Sequence, residues 1–303
     1  MSPSNELPRY VVISPVKDEE KYIELTLASM ASQTVKPALW VIVDDGSRDR
    51  TVEIIERYAA QLPFIRLVRH PRAGVRGPGS PVIRAFEYGR SLVGDVPYEV
   101  ITKLDCDLSF RADYFETLLT RFEQDSRLGI ASGIYLEMSA EGEWNLVPMP
   151  SYHAFGASKV VRRSCFEEIG GFPTAAGWDT VDEIKAIDRG WRTGHFADLP
   201  VKHHKREGSG IGLLKTSRIH GEIYYATGGD PLFFAFKVAH RLTAQPAVTN
   251  ALALAYGYLV SAVQRKPRLV TSSEARVYRR LLRKRLFRGA DKSSQSGILH
   301  VGR

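Results

Sequence analysis

Cysteine is scarce: Cys106 and Cys165 are the two in 303 residues. A disulfide framework or a cysteine-built zinc site cannot be made from them. There is no internal repeat and no low-complexity tract, which argues against a solenoid or a disordered chain. The opening stretch MSPSNELPRYVVIS lacks the basic-then-apolar order of a secretory signal, so a cytoplasmic location is expected. What the chain does have is ordinary globular composition, with 44% hydrophobic and 25% charged residues. That is enough for one large α/β domain, or one domain with an appendage.

Acidic residues are missing from one region in particular. Residues 265–288 carry ten Lys/Arg against Glu274 alone, and the last fifteen residues add one more positive charge. The net charge of +8 is therefore a property of the tail, and the first 264 residues sum to −2. A basic tail attracts anionic surfaces.

In the first half, apolar runs of strand length alternate with helical patterns. Residues 10–14, 38–43, 65–69 and 100–104 read as strands, and 18–33, 51–61 and 81–92 as helices. Such alternation implies a mostly parallel sheet with ligands gathered at the carboxyl ends of its strands. Two acidic clusters fall at such ends: Asp44-Asp45-Gly46-Ser47 and Asp105-Cys106-Asp107. Residues two apart on an extended segment point the same way, so Asp105 and Asp107 can converge on a hard cation completed by phosphate and water. Asp44 and Asp45 can receive a base imide or ribose hydroxyls, or can cap the helix that follows. Cys106, between the two aspartates, is read as core packing. In the second half, 130–136, 159–162 and 196–201 read as strands, 165–170 and 180–189 as helices, and 139–144 as a polar turn.

These residues resemble a known family. The stretch from Ile13 to Thr51 carries Pro15, Glu19, Glu20, Ser29, Gln33, Thr34, Pro37, Asp44, Asp45, Gly46, Ser47, Asp49 and Thr51 in the pattern that opens family 2 glycosyltransferases, with Asp18 where Asn is frequent. Gly177-Trp178-Asp179, with Gly190-Trp191-Arg192 following, is similar to the segment bearing that family's catalytic carboxylate, with Trp178 in place of the usual Glu. The resemblance spans residues 10–205. It implies a GT-A fold, meaning a Rossmann-like mixed, mostly parallel sheet flanked by helices. It also implies a nucleotide-diphosphate sugar donor of UDP, GDP or dTDP type, Mg²⁺ or Mn²⁺, and inversion at the anomeric carbon. By the same resemblance Pro15, Lys17, Glu19 and Asp45 would hold the nucleotide base, Asp105 the ribose, and Asp107 the metal. Asp179 or Asp182 would be the base toward a saccharide or lipid-linked acceptor. His203 or His204 would add a metal or diphosphate contact, Arg72 or Arg76 would approach the diphosphate, and the Gly-rich 207–212 would form a lid.

Residues 1–220 are expected to form the transferase domain and 221–303 a helical C-terminal region. There, 242–264 runs for 23 positions without a charge, yet Pro246, Asn250, Gly257 and Gln264 interrupt or flank it, so an interfacial or core helix is expected rather than a crossing. The tail sets Tyr278, Leu281, Leu282 and Leu286 among arginines, the pattern of a basic amphipathic helix. Related polysaccharide-assembly transferases end similarly. A peripheral position at the inner face of the cell membrane is therefore expected, on an anionic lipid surface and without a nucleic-acid partner. Two other readings fit parts of the sequence. A sugar nucleotidyltransferase needs a Gly-rich loop after the first strand, and ISPVKDEE has no glycine. A non-catalytic protein binding membrane or nucleic acid through its tail would need no metal.

Overall fold

The structure, a computed structural model, describes residues 6–70, 80–139, 141–205, 212–242 and 247–288. The chain begins β1 (Tyr10–Val16), α1 (Ile23–Ala31), β2 (Leu39–Asp44), α2 (Thr51–Ala59), β3 (Ile65–Arg69), α3 (Ser80–Ser91) and β4 (Val100–Leu104). It continues with β5 (Leu108–Phe110), α4 (Tyr114–Gln124), β6 (Leu128–Met138), β7 (Trp144–Leu146), β8 (Ser158–Arg162), α5 (Arg163–Glu168), α6 (Trp178–Asp188) and β9 (Arg192–His203). Helices α7 (Leu213–Ala226), α8 (Pro231–Arg241), α9 (Ala247–Val263) and α10 (Ser272–Arg288) close it.

The strands form one sheet in the order β3-β2-β1-β4-β8-β6-β9-β5, with β7 paired to β6. β3, β2, β1 and β4 run parallel, as the alternation predicts. β8 enters antiparallel to both β4 and β6, β9 lies parallel to β6, and β5 closes the edge antiparallel to β9. This is the mixed α/β architecture expected of GT-A. Successive residues of β1 serve opposite layers. Val12 joins Leu27 of α1, Ile55 of α2 and Leu118 of α4 on one face. Val11 and Ile13 join Ile83 and Phe86 of α3 and Phe166 of α5 on the other. The sheet curls until β5 meets α1, where the Thr26 hydroxyl donates to the Leu108 carbonyl at 2.8 Å and accepts from its N–H at 2.9 Å. Gln33 bridges in the same direction, donating to the Arg111 carbonyl and accepting from Phe115 N–H at the start of α4.

Helix α1 begins at Ile23 and not at the expected residue 18. The backbone N–H groups of Asp18, Glu19 and Glu20 donate to the side chains of Ser47, Thr51 and Asp49 at 2.8–3.1 Å. Asp18 sits in the left-handed region at φ 54°, and its carboxylate accepts from Arg48 N–H at 2.8 Å. These bonds tie the loop after β1 to the loop after β2. Much of the family pattern is thus a clasp between two strand ends.

The C-terminal helices build a third core on α6, where Val181 and Ile184 meet Tyr224, Phe234, Leu254, Tyr278 and Leu282. Position 220 lies inside α7, so the helical layer starts at Leu213. Among the described residues no helix is long and apolar enough to cross a membrane. α9 is a packed helix, with Tyr258 stacked on Phe234 at 4.3 Å. It crosses α7 glycine on glycine: a Cβ on Gly257 would lie 2.1 Å from the Arg218 carbonyl oxygen, and one on Gly221 2.0 Å from that of Leu254. Gly257→Ala is therefore expected to lower Tm despite a gain of about 1 kcal/mol in helix propensity, because overpacking against backbone costs roughly 1–3 kcal/mol or more. Thermal unfolding followed by ellipticity checks this, and an unchanged Tm would show that the helices can part. The apolar face of the expected amphipathic helix, α10, turns inward through Tyr278 and Leu282. Leu232 and Phe236 of α8 and Leu252, Tyr256, Leu259 and Val263 of α9 are exposed instead.

Candidate active site

The carboxyl ends of β1, β2 and β4 open into one cleft of about 320 Å³, lined by Pro15, Lys17, Glu19, Asp45, Asp105, Cys106, Asp107 and Lys205 among others. Among the described residues, every one that the resemblance marks for the nucleotide reaches it. Lys17 Nζ donates to the Asp45 carbonyl at 3.0 Å. The Asp45 carboxylate lies 3.1 Å from Nδ1 of His70, a neighbour the sequence did not single out. Asp44 turns back, its Oδ1 accepting from Ser47 N–H at 2.9 Å, so of the two adjacent aspartates only Asp45 lines the cleft. Glu19 is ion-paired to Lys205 across the cleft. Burial raises the Glu19 carboxyl above its ordinary range, with Lys205 pulling the other way. Cys106 is buried and its thiol is pushed well up by that burial, in line with a packing role.

Residues 105–107 form a bend between β4 and β5 rather than the extended segment assumed from spacing. The two carboxylates line the same cleft but take different partners. Asp105 is held by Lys103 Nζ at 2.5 Å, and burial, together with the Asp107 charge, raises its pKa against that lysine. Asp107 faces His203, with Nε2 3.3 Å from its Oδ2. Register explains the meeting: Leu108 of β5 and Glu137 of β6 both pair with His203 of β9. Glu137 Oε1 stands 3.5 Å from His203 Nδ1. Burial works against a charged His203 ring, but the Asp107 hydrogen bond and charge outweigh it and raise the pKa. His204 turns elsewhere, its Nε2 2.8 Å from Ser109 Oγ and its ring between Tyr22 and Trp144.

Asp107 Oδ1, Glu137 Oε1 and His203 Nδ1 are buried polar atoms without a hydrogen-bond partner among the described residues. Buried polar atoms are normally satisfied; Glu137 Oε1 and His203 Nδ1 face each other, and the open Asp107 Oδ1, with His203 Nε2 beside the same carboxylate, fits a divalent cation. Among the described residues no group of three or more His, Cys, Asp or Glu is arranged to hold an ion by itself. Two protein ligands suit a cation that takes its remaining oxygens from a diphosphate and water.

Asp179 stands in the first turn of α6, entered through Gly177 at φ 81°, a conformation glycine adopts without strain. Beneath it lies a buried ionic network. Lys159 Nζ donates to the Asp179 carbonyl at 2.7 Å, to both Asp182 oxygens at 2.9 and 3.0 Å, and to Glu183 Oε1 at 3.1 Å. Glu183 in turn accepts from Ala154 N–H at 2.7 Å and lies 2.9 Å from His153 Nδ1. Burial opposes the charge on Lys159, but Asp182 and Glu183 outweigh it and its pKa rises. Asp182 is fully buried and enclosed by these bonds, whereas Asp179 is partly exposed. Trp178, where the family usually has Glu, offers its ring to Lys103 Nζ at 5.5 Å and Lys159 Nζ at 5.2 Å. These lysines are cross-strand neighbours of β4 and β8, and Lys103 links Asp105 to the helix bearing Asp179.

Lys103, Lys159, His70, Glu137, Glu183 and His153 went unnoticed in the sequence. The first two sit inside strand-like runs, and the others pair over long separations. Arg72, Arg76 and residues 207–211 of the expected lid lie outside the described residues.

The sequence profile described as Glycosyl transferase family 2 matches residues 11–176. The chain is 28% identical over 218 residues to a protein of Bacillus subtilis (strain 168) named "Probable glycosyltransferase YdaM", covering 63% of this chain and 49% of that protein. This chain thus spans about half the length of that relative. In three dimensions it is similar to the mannosyltransferase PcManGT from Pyrobaculum calidifontis in complex with GDP-Man and Mn²⁺, with TM-score 0.54, 18% identity and coverage of 95% of this chain and 89% of that one. It is also similar to S. aureus TarS 1–349 in complex with UDP-GlcNAc, with TM-score 0.54, 18% identity and coverage of 90% and 79%. On the profile match over more than half its length, and with a GT-A fold, the chain belongs to glycosyl transferase family 2.

Proposed function

We propose that this protein is an inverting glycosyltransferase that moves a sugar from a nucleotide-diphosphate sugar to a hydroxyl of a saccharide or lipid-linked acceptor. The observation that carries the reading is the convergence of Asp45, Asp105 and Asp107 on one cleft, with His203 against Asp107 and Asp179 joined to the same end of the sheet through Lys103 and Trp178. The nucleotide-sugar ligands of the two similar structures support it.

In this reading Pro15, Lys17, Glu19 and Asp45 hold the base, and Asp105, oriented by Lys103, meets the ribose. Asp107 and His203 would hold Mg²⁺ or Mn²⁺, with Glu137 orienting the imidazole from its far nitrogen. Such a cation supplies neutralisation of the charge developing on the departing diphosphate. Asp179 takes the proton of the acceptor hydroxyl as that oxygen bonds to the anomeric carbon. The bond from the anomeric carbon to the diphosphate oxygen breaks at the same time, and its electron pair leaves with the nucleoside diphosphate. One displacement inverts the centre. Asp182, closed off by Lys159, positions the helix rather than exchanging protons. The transferase domain ends before α7, and the helices beyond it carry the exposed cations Arg276, Arg280 and Lys284 toward an anionic membrane at the cytosolic face.

Isothermal titration of UDP and of GDP into the full chain, with and without Mn²⁺, tests this. One nucleotide is expected to bind more tightly with Mn²⁺, and Asp107→Asn to remove roughly tenfold or more of that affinity. Affinity indifferent to Mn²⁺ would remove the metal assignment. Absence of nucleotide binding would remove the whole reading.

A further inference from the structure

A second charged site lies on the far side of Asp179. Ser217, His220 and Tyr224 are spaced i, i+3, i+7 along one face of α7. Helix α8 crosses that face: Arg241 Nη1 donates to Ser217 Oγ at 3.0 Å, and Lys237 Nζ lies 5.5 Å from the Tyr224 ring centre. Arg285 of α10 closes the third side, its guanidinium 5.7 Å from the ring of Phe233, one turn before Lys237. Gly177 at the start of α6 packs against Ile223, one turn along α7 from His220, and the Asp179 charge reaches the His220 ring.

Neighbouring cations are engaged: Arg283 pairs with Asp230 at 2.7 Å, Arg189 with Glu274 at 3.2 Å, and Arg279 donates to the Gly228 carbonyl at 2.9 Å. Lys237, Arg241 and Arg285 form no ion pair with a carboxylate among the described residues. Burial, with Arg241 and Arg285 nearby, pushes the Lys237 ammonium down to about 8. Burial, Lys237 and Arg241 likewise hold His220 below its ordinary value, with Asp179 pulling the other way. Lys237 and Arg241 are half-buried, and Arg285 is exposed beside the Tyr152 hydroxyl; like charges gathered without a counter-ion repel, and an anion joining them relieves that repulsion. Two planar guanidinium forks beside an ammonium suit the tetrahedral oxygens of a phosphate. On the same helix α8, Leu232 and Phe236 are exposed apolar side chains, as are Leu252 and Tyr256 of α9.

We propose that Lys237, Arg241, Arg285 and His220 form an anion site for the acceptor, which holds a phosphate or diphosphate group carried on a lipid while the acceptor hydroxyl faces Asp179. This rests on the transferase reading above, which places the donor diphosphate at Asp107 and His203 and so leaves this second site to the other substrate.

The test is titration of farnesyl diphosphate and of inorganic pyrophosphate into the full chain in EDTA, so that no metal-bound diphosphate contributes. Both are expected to bind, and Arg241→Gln with Arg285→Gln to weaken them by roughly tenfold to a hundredfold. Arg241→Lys with Arg285→Lys, which keeps the charge and guards against a folding defect, is expected to retain binding within about threefold. Tighter binding of the farnesyl compound assigns a lipid carrier, and equal binding assigns the diphosphate group alone and overturns the lipid part. Failure of either probe to bind, or a Gln variant that binds as wild type, overturns the site. If the Gln variant loses Mn²⁺-dependent nucleotide affinity to the same degree, the groove serves the donor and the proposal falls. Because these titrations need no transfer and no metal, their failure is separable from failure of the transferase reading.

Discussion

Asp179→Asn slows sugar transfer by roughly 10²–10⁴-fold while nucleotide affinity stays at the wild-type value. The amide has the shape of the carboxylate but cannot take a proton from the acceptor hydroxyl. The entry of α6 is preserved, because Lys159 binds the backbone carbonyl of residue 179 and not its side chain. The loss therefore falls on kcat, measured at saturating donor, with the nucleotide Kd as control. Full retention of kcat would move the base to another residue. Asp182→Asn is expected to differ in kind, since Asp182 is fully buried and bound to Lys159, and its first effect is on thermal unfolding.

Lys159→Met destabilises the fold by about 3–5 kcal/mol, the cost of leaving buried carboxylates without their partner. Lys159 is wholly buried, and Asp182 and Glu183 are as inaccessible. Methionine matches the length of the stem and fills the space, so the lost term is charge and hydrogen bonding rather than volume. For a chain of this size the drop corresponds to a fall of roughly 10 °C in Tm. Calorimetry checks it, and a Tm within about 2 °C of wild type would show that the network contributes specificity without stability. Replacing Asp182 and Glu183 by apolar residues in the same variant is expected to recover much of the loss, because no uncompensated charge then remains.

The alternation of apolar runs and helical faces was enough to read the parallel half of the sheet, because each buried strand there is a continuous run such as YVVIS or ALWVIV. The acidic strand ends were legible for the same reason: carboxylates seldom terminate buried strands without a task. What stayed hidden was partnership across the chain. Lys103 in VITKL and Lys159 in SKVVR looked like ordinary strand positions, and only the register of β4 against β8 shows them side by side beneath Trp178. Glu137 gave no signal until β6 and β9 brought it to His203. The start of α1 was misplaced because hydrogen bonds from a distant loop capture the backbone of residues 18–20. The periodicity of the tail helix fits a lipid surface and an inner core equally well, and in the fold Tyr278 and Leu282 enter the core.

The glycine crossing of α7 and α9 has a mechanical consequence. With the two backbones in direct apposition, α9 can neither slide nor roll on α7 without a steric collision. α7 in turn abuts the entry to α6 through Ile223 and Gly177. The outer apolar face of α9 is thus braced to the start of α6, which bears Asp179, through rigid rods. Whatever covers that face is therefore held at a set height from Asp179.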